Sequence, residues 1–308
     1  MTENLSAAAP GSIMRAMPEW TLYPHQEGFS ALDFLRCRLP AAPTAYLRRL
    51  LLRGKVLRGT ACVQEHDLLA SGDCLRLPDS ARIKEFLEAS AALGVEILWE
   101  TPHFLIVNKP PGLAVHRGQG HEEDNLLLRV ERLLTQRGEK VRPAPIHRLD
   151  RDTSGALLLG KDRNAAGELG KLFMAGAAAK IYLALVCGPG QGSGLLTAPV
   201  AAKGKIKDAV TAYRFLTCTS DFSLVELRLE TGRTHQIRRH LAACGHPLMG
   251  DQRYGGQGIR GQRHFFLHCR QLSFINPWDG HPRSINAPLP ENFVSALARL
   301  QLCAGERA

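Results

Sequence analysis

Apolar residues near the start of the chain recur with helical spacing and predict a small N-terminal module. Two sets of residues fit one helical face each: Ala31, Phe34 and Leu35, then Leu47, Leu50 and Leu51. Pro43 suits the first turn of the second helix, which we expect over about residues 44–53, and Gly54 is placed to end it. Short strands are expected around Val56 and near residues 75–77.

From about residue 93 the pattern changes to alternating strands and helices. Apolar runs at residues 104–107 and 157–159 are typical of buried strands, and apolar and charged residues alternate over 225–229 as in a half-buried strand. Helical spacing returns in three later segments, residues 126–134, 169–173 and 237–244. This mixture predicts the α+β class, built on a mixed sheet.

These patterns divide the chain into five parts: an arm (residues 1–27), the N-terminal module (28–78), a linker with a short helical piece (79–92), a main domain (93–300) and a tail (301–308). The arm has several prolines and no sustained period, so we expect it to be poorly ordered or loosely docked. Met14, Trp20 and Tyr23 are available to anchor it. The glycine-rich residues 188–194 follow a strand, and we interpret them as a flexible hairpin loop.

Composition excludes several classes of protein. Hydrophobic residues make up 44% of the 308-residue chain, which excludes a wholly disordered protein, and no apolar stretch approaches the length of a membrane-spanning helix. The eight cysteines are scattered without a C-x-x-C pair, and no signal-peptide pattern begins the chain. We therefore expect a cytoplasmic protein with reduced thiols.

The charge of the chain is unevenly distributed. The formal net charge is +10, and residues 93–308 supply +9 of it from 28 basic and 19 acidic residues. Such an excess favours a polyanionic partner, the alternative being a basic surface that binds nothing.

A basic run without any acidic residue lies between Phe34 and Gln64. Its members are Arg36, Arg38, Arg48, Arg49, Arg53, Lys55 and Arg58. Most charge runs are solvated helix faces, but a long run of one sign also suits a phosphate-binding surface.

Residues 30–73 resemble an S4 RNA-binding domain in their helix–RGKV–strand–GD pattern. The resemblance implies a small α/β module in which two helices and a following strand present basic residues to structured RNA. The residues it implies for that contact are Arg48, Arg49, Arg53 and Lys55. Residues 57–60 depart from the usual strand and turn pattern of that family.

Residues 147–155 (HRLDRDTSG) form a polar loop directly before a buried strand. Arg148 and Arg151 flank Asp150 and favour its ionised form, as a nucleophile or a charge stabiliser requires. A loop ion pair followed by a Thr-Ser-Gly turn is the alternative interpretation.

Two further segments carry side chains that could bind or act on a substrate. Residues 231–240 hold three arginines and two histidines at the predicted start of a helix, where free N–H groups attract anions, although a solvated basic helix would look similar. Tyr182 shares one face of a strand with Ala184, while Leu183 and Leu185 share the other. A tyrosine in that position is either part of the core or a stacking platform for a base.

Taken together, four segments are similar to the RluA-type pseudouridine synthases: residues 107–116, 147–155, 180–186 and 232–251. Their consistent order over about residues 95–290 is far more specific than any single motif. The resemblance implies a pseudouridine synthase domain with a mixed, mainly antiparallel sheet. At residues 276–280, Asn-Pro-Trp-Asp-Gly replaces the commoner His-Pro-x-x-Gly.

The resemblance also implies roles for individual residues. The family's catalytic aspartate, its uracil-stacking tyrosine and the arginine that pairs with the aspartate correspond to Asp150, Tyr182 and Arg238. Residues implied in binding the substrate are Arg148, which helps hold the target nucleotide out of its stack, Ile237, Arg233 and His235.

The implied reaction cuts the uracil N1–C1′ bond, turns the base and joins C5 to C1′. It needs no cofactor, and the chain has neither a phosphate-binding Walker loop nor a plausible set of metal ligands. Asp150 would either attack C1′ or promote loss of the C2′ proton. The implied partner is RNA, with 23S ribosomal RNA favoured and tRNA as the alternative. We expect the protein to be a monomer. Two alternatives are a non-catalytic ribosome-assembly factor and an N-glycosidase that releases the base.

Overall fold

The computed structural model describes residues 18–22, 27–118, 122–202, 205–259 and 262–302. Met14, Tyr23 and most of the expected tail lie outside the described residues. No helix within the described ranges is long and apolar enough to cross a membrane.

The N-terminal module contains two helices and a four-stranded sheet. Its elements are β1 (Glu19–Thr21), α1 (Ala31–Arg38), α2 (Thr44–Leu52), β2 (Leu57–Arg58), β3 (Ala61–Cys62) and β4 (Cys74–Arg76). Strand β1 pairs with β4, so Trp20 and its neighbours in the expected arm extend the module's sheet. Residues 57–60 form β2 and a tight turn into β3, in which Gly59 has a φ of +62° that favours glycine.

The expected linker is mostly one regular helix, α3 (Ala81–Leu93). Ser80 caps its start by accepting a hydrogen bond from the Ile83 amide, and Gly94 ends it in the left-handed conformation. Phe86 on α3 packs edge-on against Tyr46 of α2. The linker therefore packs against the module as an ordered helix.

The main domain is built around a ten-stranded sheet with helices packed on it. Its strands are β5 (Glu96–Glu100), β6 (Phe104–Lys109), β7 (Ala144–Pro145), β8 (Ser154–Gly160), β9 (Ala178–Cys187), β10 (Ser193–Leu196), β13 (Thr211–Cys218), β14 (Phe222–Leu229), β15 (Leu267–Ile275) and β16 (Pro282–Asn286). A separate hairpin joins β11 (Val200–Ala202) to β12 (Lys205–Lys207). The helices are α4 (Leu126–Gln136), α5 (Arg163–Met174), α6 (Gln236–Ala243) and α7 (Glu291–Arg299).

The main path of the sheet runs β10-β13-β14-β9-β15-β8-β6-β5, with β16 on β15 and β7 on β8. Among the described pairs, β8 and β15 run parallel and the others antiparallel, which confirms the expected mixed, mainly antiparallel α+β fold. The interpretation of residues 188–194 as a hairpin loop is wrong. Residues 188–192 link β9 to β10, which begins at residue 193, and those two strands are separated in the sheet by β13 and β14.

Strand β9 separates two parts of the hydrophobic core. Tyr182 and Ala184 pack into the larger core on one face, whereas Leu183 and Leu185 pack on the other face with residues of α7. The alternation expected for this strand is confirmed, and it places the tyrosine on the same side as β8 core residues such as Leu157.

The larger core is continuous from the N-terminal module into the main domain. Phe29 meets Trp99 of β5 edge to face, with ring centroids 4.2 Å apart. The two expected domains therefore share buried apolar surface, which favours a fixed arrangement.

A buried ion cluster reinforces this junction. Oε1 of Glu100 lies 2.7 Å from Nη2 of Arg36 in α1, 2.7 Å from Nη1 of Arg137 and 2.6 Å from Nζ of Lys161. Burial alone would raise the pKa of Glu100, but the three cations overcome burial and lower that pKa to about 2. We call Arg36, Glu100, Arg137, Glu139 and Lys161 the Glu100 cluster.

Candidate active site

The sheet brings Asp150 and Tyr182 to one place through the strand between their segments. Asp150 precedes β8, Tyr182 lies on β9, and β15 runs between these strands. Cys269 of β15 faces Gly155 on one side and Tyr182 on the other in the register of the sheet. Gly155 has a φ of +107°, and a Cβ there would overlap the Cys269 backbone, so only glycine lets β8 pass this closely.

Arg238 reaches the site from the first turn of α6. The loop before this helix is held by Gln236, whose buried side chain accepts hydrogen bonds from the Thr231 hydroxyl and the Arg233 amide. The same side chain donates to the Val210 carbonyl at 3.0 Å. The basic segment therefore does open a helix, and an amide side chain fixes its entry.

Arg238 joins two aspartates. Its Nε and Nη2 bind the two carboxylate oxygens of Asp251 at 2.6 and 2.8 Å, and its Nη1 donates to Oδ2 of Asp150 at 3.2 Å. The guanidinium also lies over the rings of Tyr254 and Phe265, 4.9 and 4.5 Å from their centroids. Burial opposes the charge of Arg238, but Asp251 and Asp150 raise its pKa above the ordinary value, so it stays a cation.

His235 lies on the other side of Asp150. Its Nε2 is 3.8 Å from Oδ1 of Asp150, and its Nδ1 is 3.0 Å from the hydroxyl of Tyr254. Burial lowers the pKa of His235; Asp150 opposes this shift, and Arg238, Arg253 and Arg239 add to it. The imidazole is therefore neutral near pH 7.

Several cavities meet at Asp150. A cleft of about 1220 Å³ has five cationic side chains among its lining: Arg148, Lys180, Arg228, Arg233 and Arg283. A second cavity of about 490 Å³ is lined by further arginines, among them Arg151, Arg253 and Arg263. Between them, a space of about 60 Å³ is bounded by Asp150, Tyr182, Ile237 and Arg238. A polyanion therefore meets mostly positive charge on its way to the carboxylate.

The structure brings together the predicted residues of the main domain. Asp150, Tyr182, Ile237 and Arg238 line one cavity, with Arg148, Arg233 and His235 also on its wall. Arg148 is exposed, whereas Tyr182 is 4% exposed and lies beside Cys269 in the sheet. Burial raises the pKa of the Tyr182 hydroxyl well above its ordinary value, so this tyrosine stays protonated.

The predicted RNA-binding residues of the module lie apart from this cavity, on α2 and the turn after it. Arg48, Arg49, Arg53 and Lys55 are exposed, and Arg48 pairs with Glu65 at 2.9 Å. Arg36, from the same basic run, instead has a side chain that is only 11% exposed and belongs to the Glu100 cluster. The run is therefore a surface feature only in part.

Sequence reasoning missed two positions that hold the site. One of them is Asp251, the last residue of the motif at residues 232–251. The only signal in the sequence was an acidic residue placed close to a basic segment.

The other position is Lys109, which ends β6. Its buried Nζ donates to the carbonyls of Pro110, Leu113 and Arg151 at 2.8–2.9 Å. Burial lowers the pKa of Lys109 to about 7, against the opposing effect of nearby acidic groups. Lys109 thus ties the Asp150 loop to the sheet.

No group of three or more metal-ligating side chains occurs within the described ranges. His240, the other histidine of the basic segment, bonds to the Thr211 hydroxyl and the Ala198 carbonyl. These are the contacts of a histidine that supports the packing of α6.

Comparison with known proteins identifies the class. Residues 103–243 match the RNA pseudouridylate synthase family. An uncharacterized RNA pseudouridine synthase of Synechocystis sp. is 33% identical over 292 residues, covering 86% of each chain. Ribosomal large subunit pseudouridine synthase C of Escherichia coli K12 is 32% identical over 299 residues, covering 87% of this chain and 92% of that protein.

A solved structure agrees. Human RNA pseudouridylate synthase domain containing 4 superimposes with a TM-score of 0.59 and 27% identity, over 70% of this chain and 96% of that one. The chain belongs to the RNA pseudouridine synthases, and it is an enzyme of that family. Its relatives include large-subunit synthases C and D, which confirms the expected RluA type.

Proposed function

We propose that this enzyme isomerises one or more uridines of large-subunit ribosomal RNA, acting as a cytoplasmic monomer. The names of its relatives support this substrate. The observation that carries the proposal is the placement of Asp150, paired with Arg238 at 3.2 Å, where cation-lined cavities meet. A carboxylate with that access is suited to act on a ribose carried in by a polyanion.

RNA binding begins with phosphate contacts to the cationic cleft, which position the substrate without reading its sequence. The target uridine then leaves its stack, at a cost of a few kcal/mol, because its reacting atoms are out of reach within a helix. Arg148 is exposed at the edge of the site and is suited to fill the vacated space. Arg233, on the other wall, has its Nε fixed by the Asp208 carbonyl at 3.1 Å and leaves its remaining donors for phosphate.

Asp150 is the residue that acts on the sugar. Its carboxylate either bonds to C1′ as the N1–C1′ bond breaks, or takes part in loss of the C2′ proton to give a glycal. In both routes the freed uracil turns and C5 joins C1′, with release of the carboxylate from C1′ in the first route and reprotonation of C2′ in the second. The C5 proton then leaves and N1 gains a proton, so the product has the mass of the substrate. Tyr182 and Ile237 supply the apolar wall against which the base turns.

The N-terminal module supplies a second RNA contact through Arg48, Arg49, Arg53 and Lys55. Their exposure on a single short stretch supports this role. The shared core and the Glu100 cluster hold that surface at a fixed place relative to Asp150, so the module selects which part of a folded RNA reaches the site.

The test is to incubate the purified enzyme with total RNA from a strain that lacks its gene, then map pseudouridines by carbodiimide labelling and primer extension. Asp150→Ala is tested in parallel, and Asp221→Ala, an exposed aspartate in the turn between β13 and β14, is the matched control. We expect new stops in large-subunit RNA with the wild type and the control alone. Stops confined to tRNA would overturn the substrate, and free uracil would indicate an N-glycosidase.

A further inference from the structure

We propose that His235 is a positioning residue that holds Oδ1 of Asp150 through an Nε2–H donor, and that Tyr254 and Arg239 fix the tautomer that provides it. The inference rests on the proposed function, since it concerns the carboxylate assigned there to the sugar. It adds to that function the groups that orient the carboxylate of Asp150.

The backbone of His235 is the first observation. It has a φ of 55° and a ψ of 26°, in the left-handed region. Within the described residues it shares a positive φ with only one other non-glycine residue, Gln301. Residues other than glycine seldom adopt this backbone conformation because it is strained, and such strain is found most often at functional sites. In this conformation the imidazole lies between Asp150 and Tyr254.

The direction of the hydrogen bonds follows from what each group can donate. Nε of Arg239 is a donor and never an acceptor, and it lies 3.1 Å from the hydroxyl oxygen of Tyr254. That oxygen accepts from Arg239, which fills one of its acceptor positions and favours donation of the tyrosine's own hydrogen to Nδ1 of His235 at 3.0 Å. A neutral imidazole that accepts at Nδ1 carries its proton on Nε2. The chain of donors therefore runs from Arg239 through Tyr254 to His235 and on to Asp150.

The charges around His235 keep this arrangement neutral. Arg238, Arg239 and Arg253 face the imidazole and disfavour a second proton, and their combined effect adds to that of burial. Asp150 is the acidic group that opposes them. His235 therefore offers Asp150 an N–H dipole, whereas Arg238 offers it a full charge.

The two partners divide the carboxylate between them. Arg238 binds Oδ2 at 3.2 Å, and Nε2 of His235 faces Oδ1 at 3.8 Å. The second distance is too long for a hydrogen bond in the free enzyme. Catalytic hydrogen bonds often tighten only when substrate is bound, and we expect this contact to close as the uridine displaces water. The carboxylate would then be held at both oxygens while the base turns.

The test uses single-turnover kinetics with the RNA found by pseudouridine mapping, with enzyme in excess, and RNA binding measured separately. His235→Ala is expected to lower the single-turnover rate by about 10²-fold while the Kd for RNA changes less than about threefold. His235→Gln, whose amide N–H can replace Nε2–H, is expected to recover at least about tenfold of that loss. Tyr254→Phe is expected to lower the rate by about tenfold, because it releases the tautomer. His66→Ala, an exposed histidine between β3 and β4, is the control.

A second readout needs no substrate. The imidazole nitrogen resonances of ¹⁵N-histidine-labelled enzyme distinguish the two tautomers, and we expect His235 to carry its proton on Nε2 in the wild type and to lose that preference in Tyr254→Phe. A proton on Nδ1 in an active wild type would overturn this inference alone. So would a His235→Gln rate no better than that of His235→Ala, or a parallel loss of RNA binding. If the wild type forms no pseudouridine in any RNA, the proposed function fails, and the assigned role of His235 fails with it.

Discussion

Two acidic side chains of this enzyme sit in arginine-rich surroundings, and their accessibility differs. The side chain of Glu100 is 0% exposed, with three cations on one oxygen at 2.6–2.7 Å. The side chain of Asp150 is 16% exposed, with one arginine at 3.2 Å and a neutral histidine further away. The first carboxylate has its hydrogen-bonding capacity filled by protein, whereas the second keeps part of it facing a cleft.

This difference separates a structural carboxylate from one that can react. Glu100 binds groups from α1, the end of α4 and the end of β8, so its contacts hold separate elements together. A buried charge of this kind is tolerated only when partners satisfy it fully. Asp150 has fewer partners, and Arg238, which pairs with it, is itself held by Asp251. Arg238 is therefore held in place by Asp251, whereas the carboxylate of Asp150 remains accessible from the cleft.

The same chemical change at the two positions should have opposite consequences, and the larger effect is expected at Asp150. Asp150→Asn removes the charge but keeps the shape, so we expect a loss of on the order of 10⁴-fold in single-turnover rate. The melting temperature should stay within a few degrees of the wild type, because the side chain is partly exposed. Pseudouridine formation and thermal unfolding of one preparation measure both. A variant that keeps more than a tenth of the wild-type rate would mean that Asp150 is not the reacting carboxylate.

Glu100→Gln is the matched change in the closed cluster. It leaves Arg36, Arg137 and Lys161 without their shared anion, and we expect the free energy of unfolding to fall by about 3–5 kcal/mol. The rate per folded molecule should remain near that of the wild type at a temperature where the variant is folded. Denaturant unfolding measures the first quantity. A large loss of rate in fully folded protein would show that the module's position also controls chemistry.

Acid titration tests the origin of that stability. The pKa of Glu100 is lowered to about 2 in the folded state, against an ordinary value of 4.5. A depressed carboxyl pKa stabilises the fold above the unfolded-state pKa, and the contribution disappears as the pH falls through the folded-state pKa. Wild-type stability should therefore decline between about pH 4.5 and pH 2 through this group, and Glu100→Gln should lack that part of the decline. Identical pH profiles would exclude the ion cluster as the cause.

The two carboxylates were not equally predictable from the sequence. Asp150, Tyr182 and Arg238 lie in motifs specific enough to be recognised, and the alternating pattern of β9 correctly predicts which face Tyr182 shares. Their proximity depends on β15, which lies more than 80 residues beyond Tyr182 in the chain and enters the sheet between β8 and β9. Local patterns contain no information about such a pairing.

Glu100 shows the corresponding limit for charge. Arg36 is one of seven basic residues in a stretch that contains no acidic residue, and its partner Glu100 lies 64 positions away. Charge along a chain does not reveal burial when the neutralising group belongs to another element. Asp251 could not be predicted for the same reason. Its role depends on the chain after α6 folding back so that Asp251 binds Arg238.

Asp251→Asn tests whether catalysis depends on Arg238 being held in place. We expect a smaller loss of rate than for Asp150→Asn. The change removes the charge that binds Nε and Nη2 of Arg238, so the guanidinium can turn away from Asp150. We expect a loss of about 10²-fold in single-turnover rate with little change in RNA affinity. Asp221→Asn, at the exposed aspartate in the turn between β13 and β14, is a matched control. If RNA affinity fell in proportion to the rate, Asp251 would act on substrate binding instead.

The smallest loss of function should come from changing arginines that pair with neither Glu100 nor Asp150. Arg49 on α2 and Arg53 directly after this helix are exposed, so replacing both by alanine removes phosphate contacts without leaving a buried partner. We expect about a tenfold weaker Kd for the substrate RNA, and a salt dependence of log K that is shallower by about two. At saturating enzyme the rate should be unchanged. Arg82→Ala, an exposed arginine paired with Glu85 on α3, is the control. An unaltered salt dependence would place the RNA on another face of the module and leave the cleft around Asp150 as the main source of affinity.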